Sequence, residues 1–231
     1  MIAENPNLPL LIKAAEKLTP LLDQIVFVGG CVTGLLVTDP ASSPARSTLD
    51  VDVIAEIVSY SELRIFEERL HALGFRQPSN APICRWSHEN AVLDLMPTAA
   101  PVLGFTNSWY APAFKNAGLL SVDKFVLRVI SAPYFLGTKL EAFHGRGQKD
   151  YRLSRDIEDI ATVIDGRREI LEEVRTSETT LRKYLAKDFR MLLADPNFRD
   201  ALPGHLPPDT ASQGRISLLL NCMRSLAAEE C

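Results

Sequence analysis

The sequence predicts an α+β protein, with a small mixed β-sheet flanked by helices and followed by a helical C-terminal region. Three observations lead there. Short apolar or alternating runs suited to strands are confined to the first 131 residues. They are interleaved with stretches of helical period and closed by Gly, Pro and Asn. Beyond Pro133 the pattern is helical to the end. Residues 1–131 are therefore expected to form an α/β core and residues 132–231 a helical domain.

Leu8 to Leu18 reads as a short entering helix. Ile25-Val26-Phe27-Val28 is an apolar strand, and Gly29-Gly30 turns it into a helix-like run over 30–37. Thr38 to Ser47, rich in Pro and Ser, is a surface loop. A strand over 49–57 and a helix over 61–73 follow, the helix stopped at Gly74. Two strands are expected near 82–87 and 91–96, then a loop from Pro97 to Gly118. Lys124 to Ile130 alternates as a further strand. Pro133 suits the first turn of the next helix. A helix over 155–165 is capped by Ser154 and stopped at Gly166. The remaining helices break near Pro196 and at Pro203 to Pro208.

At 231 residues, 46% hydrophobic and 23% charged, the chain can bury a sizeable core. No stretch approaches the twenty or so apolar residues of a membrane span, and Met1 to Pro6 lacks a basic region and an apolar signal core. Cys31, Cys84, Cys222 and Cys231 have no paired spacing, so a reduced, cytoplasmic setting without a membrane partner is expected. His71, His88, His144 and His205 form no zinc pattern. A net charge of −4 argues against a surface that coats nucleic acid. Arg175, Arg182, Lys183, Lys187 and Arg190 form a local basic excess. With Leu181, Tyr184, Leu185 and Phe189 they read as one amphipathic helix, whose outer face is either solvated or a dock for RNA phosphates.

The most informative residues are Asp50 and Asp52. On an extended strand both carboxylates leave one face, with Leu49, Val51 and Val53 on the other. Like charges so close repel, and a cation such as Mg²⁺ between them removes that cost. Alone, the pair also fits a polar strand face meeting water. Asp94, inside the apolar run Ala91 to Met96, is expensive unless paired, metal-bound or turned to solvent. Gly29 and Gly30 allow close approach of the backbone to a ligand, with helix N–H groups available to phosphate.

An apolar strand ending Gly-Gly, then Asp-x-Asp, then a third acid on a neighbouring strand resembles the nucleotidyltransferase superfamily that includes DNA polymerase beta. The Arg46-x-Thr48 lead-in, and the roughly twenty residues between the glycines and Asp50, look more like the AbiEii and MenT branch of bacterial toxins. Pro133 to Phe143 looks like the family helix whose lysine contacts the triphosphate. Ser154 to Ile160 resembles its Arg-Asp-x-x-Asp helix. The resemblance spans roughly residues 25 to 165 and implies a nucleotidyltransferase fold.

It also implies chemistry. Asp50, Asp52 and Asp94 would hold Mg²⁺, or Mn²⁺ in its place, with Asp94 completing a second metal site or serving as general base. Gly29, Gly30, Arg46, Thr48, Lys139, Arg146, Asp156 and Asp159 would form the nucleotide site, to which the helical domain contributes. Lys139 would pair with the β/γ phosphates. Arg146 also fits an ordinary surface cation, and Asp156 a structural acid in the first turn of its helix. The reaction implied is transfer of a nucleoside monophosphate from an NTP. The acceptor is expected to be RNA such as tRNA, in a toxin with a cognate antitoxin protein. A protein hydroxyl, an aminoglycoside-like small molecule, or an inactive nucleotide-binding module stand as alternatives.

Overall fold

The computed structural model describes residues 5–146 and 150–228; Cys231 and the first four residues lie outside them. The chain opens with α1 (Leu8–Lys17), β1 (Ile25–Val28), the single turn α2 (Thr33–Leu36), β2 (Val51–Ala55) and α3 (Tyr60–Ala72). Next come β3 (Arg85–His88), β4 (Ala91–Pro97), α4 (Ala100–Leu103), α5 (Tyr110–Lys115), β5 (Gly118–Val122) and β6 (Phe125–Val129). The remainder is helical: α6 (Ala132–Gly145), α7 (Arg155–Gly166), α8 (Ile170–Thr176), α9 (Thr179–Ala194), α10 (Pro196–Ala201), α11 (Thr210–Gly214) and α12 (Ile216–Ala228). Among these residues no helix is long and apolar enough to cross a membrane.

Two compact units result. The sheet unit comprises Pro6–Val32 and Arg46–Ser131. Its six strands lie in the order β3-β4-β2-β1-β6-β5. β2 runs antiparallel to β1 and parallel to β4, β6 runs parallel to β1, and the two hairpins at the edges are antiparallel. β1 is buried along its whole length, as its unbroken apolar run requires of a central strand. β4 alternates instead, with Ala91, Leu93, Leu95 and Pro97 in the core and Asp94 on the more open face. The Ser59 side chain accepts from the Glu62 N–H to start α3, and Gly74, at φ +90°, follows its last turn.

The helical unit holds Thr33–Ala45 together with the chain from Ala132 onward. Segment 33–45, grouped by sequence with the α/β core, makes its hydrogen bonds here: the Thr38 and Asp39 N–H groups both donate to the Gly166 carbonyl at 2.8 Å. Arg168 and Arg215 pair with Asp39 at 2.7 and 2.9 Å. The Ala41 N–H, then these arginines, hold the Asp39 carboxyl at about 2. α6 is apolar nearly all round and accordingly buried from Ala132 to Leu140. Ser154 caps α7, accepting from the Ile157 N–H at 3.3 Å.

Several expectations are corrected. Leu49 is 86% exposed, because β2 begins only at Val51 and the alternation does not reach back to it. The helix expected over 30–37 is a 3₁₀ turn, Gly30–Val32, followed by one α-helical turn. β5 lies in residues that carried no strand expectation, and the loop after Pro97 contains α4 and α5. Gly166 does not stop α7 by a left-handed turn; a side chain there would meet Ser42 Oγ at 2.9 Å and the Val37 methyls at 3.0 Å. The basic helix is divided, with Arg175 on α8 and Arg182 to Arg190 on α9, because the backbone is extended at Ser177 and Glu178.

Candidate functional site

β2 and β4 bring the acids of the sheet unit together. The two strands pair in parallel with Asp52 beside Asp94. Side chains in register on neighbouring strands share a face, so both carboxylates stand on the same side. Asp50 precedes the strand and is held by two partners. The Thr48 hydroxyl donates to Oδ1 at 2.7 Å, and Arg85 Nη2 donates to Oδ2 at 3.0 Å.

Arg85 also forks onto Asp94, Nε to Oδ1 at 2.8 Å and Nη2 to Oδ2 at 2.6 Å. The cause is register: Glu89-Asn90 turns the β3–β4 hairpin so that His88 faces Ala91, which sets Arg85 opposite Asp94. The Asp94 hydrogen bonds, and then the charges of Asp94 and Asp50, raise the guanidinium further above its ordinary value. Next to it, burial and then the Asp94 charge push the Cys84 thiol up.

The glycine turn presses against these acids. Gly29 adopts φ +69°, a region only glycine enters freely, and a Cβ built there would lie 2.0 Å from Asp52 Oδ2. The strand end and the Asp52 carboxylate are thus in direct backbone contact. Asn7, buried before α1, fixes the other side: its amide donates to the Arg46 carbonyl at 2.9 Å and the Gly30 carbonyl at 3.4 Å, and its Oδ1 accepts from the Thr48 N–H at 2.9 Å. Arg46 Nη1 donates to the Ser47 carbonyl at 3.5 Å.

Lys139, Arg146, Asp156 and Asp159 are gathered in the helical unit. Lys139 is buried and its ammonium donates to Asp159 Oδ2 at 2.6 Å and Asp156 Oδ1 at 3.2 Å. The two acids share a face of α7 because they are three residues apart. Arg146, whose side chain is 72% exposed, pairs with the other Asp156 oxygen at 2.9 Å. Arg146, Arg155, Ser154 and Asp156 line a cavity of about 310 Å³ with Phe143 and Leu153.

Sequence reasoning missed Arg85 and Asn7. Arg85 pairs with Asp94 because the hairpin turns on the two residues Glu89-Asn90, a dipeptide with no strong turn signature, so its sequence signal was weak. Asn7 carried none: its partners are 23 to 41 residues away.

Among the described residues, no three His, Cys, Asp or Glu side chains are arranged to hold a metal ion by themselves. Mg²⁺, however, needs only one or two carboxylates when phosphate oxygens and water complete its shell. Asp52 beside Asp94 supplies that number, so the donor set fits an ion that arrives with phosphate.

No family model matches the chain, and no curated protein matches it. Solved structures do. An antigenic nucleotidyltransferase-like protein from Paracoccidioides brasiliensis superposes with a TM-score of 0.51 at 19% identity, over 88% of this chain and 94% of that one. JHP933 from Helicobacter pylori matches with a TM-score of 0.49 at 11% identity, over 97% and 93%. The mixed sheet flanked by helices is thus the fold of a nucleotidyltransferase-like protein.

Proposed function

We propose that the protein is a metal-dependent nucleotidyltransferase that passes a nucleoside monophosphate from an NTP to RNA. The observation that carries this reading is the register of Asp52 with Asp94, with Asp50 tied to the same cluster through Arg85. A divalent ion held by these acids would neutralise the triphosphate and orient its α-phosphorus for in-line attack. Thr48 donates to one Asp50 oxygen and Asn7 holds the Thr48 backbone, so that oxygen is oriented before substrate arrives. Gly29 gives the backbone its approach to the same face. Asp94 is the acid we assign to accept the hydroxyl proton of the acceptor. In the helical unit, Arg146 and Arg155 line a cavity together with Asp150 and Asp156, and Arg146 is already paired with Asp156 there. Lys139 sets the positions of Asp156 and Asp159, and the triphosphate contact implied for it would draw on the same ammonium.

RNA as acceptor is favoured by Lys183 and Lys187, both exposed on α9 near Arg182. With a cognate antitoxin, such an activity would serve as a toxin of the AbiEii type, acting in the cytoplasm.

The test is incubation of the protein with total tRNA, a protein extract and aminoglycosides, each with the four α-labelled NTPs in turn. Label is expected on RNA, falling steeply with added salt. Reversing Arg182, Lys183 and Lys187 to Glu lowers that labelling and leaves NTP binding intact. Label only on protein or drug removes the RNA acceptor, and label nowhere with NTP bound leaves a binding module. Growth arrest on expression, absent with Asp50→Asn, is the matching readout in cells.

A further inference from the structure

We propose that Arg85 is an internal counter-cation that withholds Asp50 and Asp94 from a bare divalent ion and yields them when the ion arrives with a nucleoside triphosphate. This rests on the reading of the acids as the metal site and adds an order of binding to it.

Both Asp94 oxygens accept from Arg85, and the two Asp50 oxygens accept from Arg85 and from the Thr48 hydroxyl. An ion coordinating Asp94 must therefore break a bidentate charge-assisted pair, among the stronger contacts a protein surface makes. Mg²⁺ gives up its own water reluctantly, so it meets a second cost at the same moment. Arg85 offsets part of the repulsion among the acids already, which removes much of what would draw a lone cation in.

Arg85 springs from β3, the strand at the edge of the sheet, and a third of its side chain is exposed. Asp94, on an interior strand, is only 13% exposed. When the pair opens, the arginine is the member that can leave, swinging toward solvent while Trp86 and Leu93 stay packed beneath it. A triphosphate changes the balance, because it offers phosphate oxygens that match the same planar fork. The guanidinium exchanges one bidentate anion for another, and the ion takes the carboxylates. Metal and nucleotide then bind as a unit, and free Mg²⁺ alone leaves the acids with their arginine.

The test uses the full chain and Mn²⁺. Binding of Mn²⁺ alone is followed by the loss of the free-ion EPR signal for the wild type, Arg85→Met and Arg85→Lys. Metal-dependent binding of each NTP is measured separately by calorimetry. Arg85→Met is expected to bind Mn²⁺ alone at least about tenfold more tightly than the wild type, since even one charge-assisted hydrogen bond corresponds to about that factor and metal entry breaks two on Asp94. Arg85→Lys, which keeps the charge but lacks the fork, falls between them and covers the case in which the Met variant does not fold. Equal Mn²⁺ affinity in all three, with metal-dependent NTP binding intact, overturns the role of Arg85 and leaves the proposed function standing. No Mn²⁺ and no NTP binding in any of them overturns the metal site and this inference with it.

Discussion

Replacing Gly29 by alanine should be strongly destabilising. Two contributions add. At φ +69° an L-residue pays about 1–2 kcal/mol for the left-handed conformation. The new methyl would also lie 2.0 Å from Asp52 Oδ2, 2.6 Å from its Cγ and 2.9 Å from its Cβ. The carboxylate tip can rotate away, but Cβ is fixed to a strand paired on both sides, by β1 and by β4. Relief therefore requires the backbone to give, an overpacking cost of about 1–3 kcal/mol. The expected loss is about 2–5 kcal/mol, measured by urea unfolding of Gly29→Ala. Asp52→Gly deletes all three clashing atoms, so the double variant should recover the steric part, a coupling of about 1–3 kcal/mol in a double-mutant cycle. A loss within about 0.5 kcal/mol of wild type, or a coupling of zero, would refute the contact between the turn and the acid.

Three further outcomes are expected. Asp50→Asn with Asp52→Asn should abolish metal-dependent NTP binding in calorimetry while circular dichroism shows the fold retained; equal affinity would sink the assignment of the site. Lys139→Ala leaves Asp156 and Asp159 buried without their shared cation and should destabilise the protein by about 3–5 kcal/mol in denaturant, with Asp159→Asn recovering part. Asp39 titrates at about 2 when folded, below its ordinary 3.8. Its stabilising contribution is therefore full above about pH 4 and lost as pH falls toward 2, so Asp39→Asn should flatten that part of the thermal-stability profile.

What could be read in advance follows from what is local. The boundaries of β1 and the Ser154 cap depend on residues within one or two turns, and both were legible. Asp94 was legible as an acid within a strand, but its place next to Asp52 was implied only by the family resemblance, because an apolar run does not say which strand it pairs with. Leu49 misled because alternation says nothing about where a strand begins. β5 was hidden because its first four residues are exposed on an edge, where burial imposes no pattern. Arg85 required the hairpin pairing, and Asn7 required the whole sheet unit.

The order of the strands has a consequence for how the protein is made. Asp52 and Asp94 become neighbours once β2 and β4 pair, and neither of those strands needs β6. β1, the strand that sets Gly29 against Asp52, finds its second neighbour only when Phe27 meets Val129 about a hundred residues later. Contacts so distant in sequence form slowly, since the loop between them must close before any pairing rewards it. On the ribosome the carboxylate cluster can therefore assemble early, on a sheet that still lacks its β5–β6 hairpin. At that stage three acids and their arginine would be in place while one side of β1 lies open to any other strand.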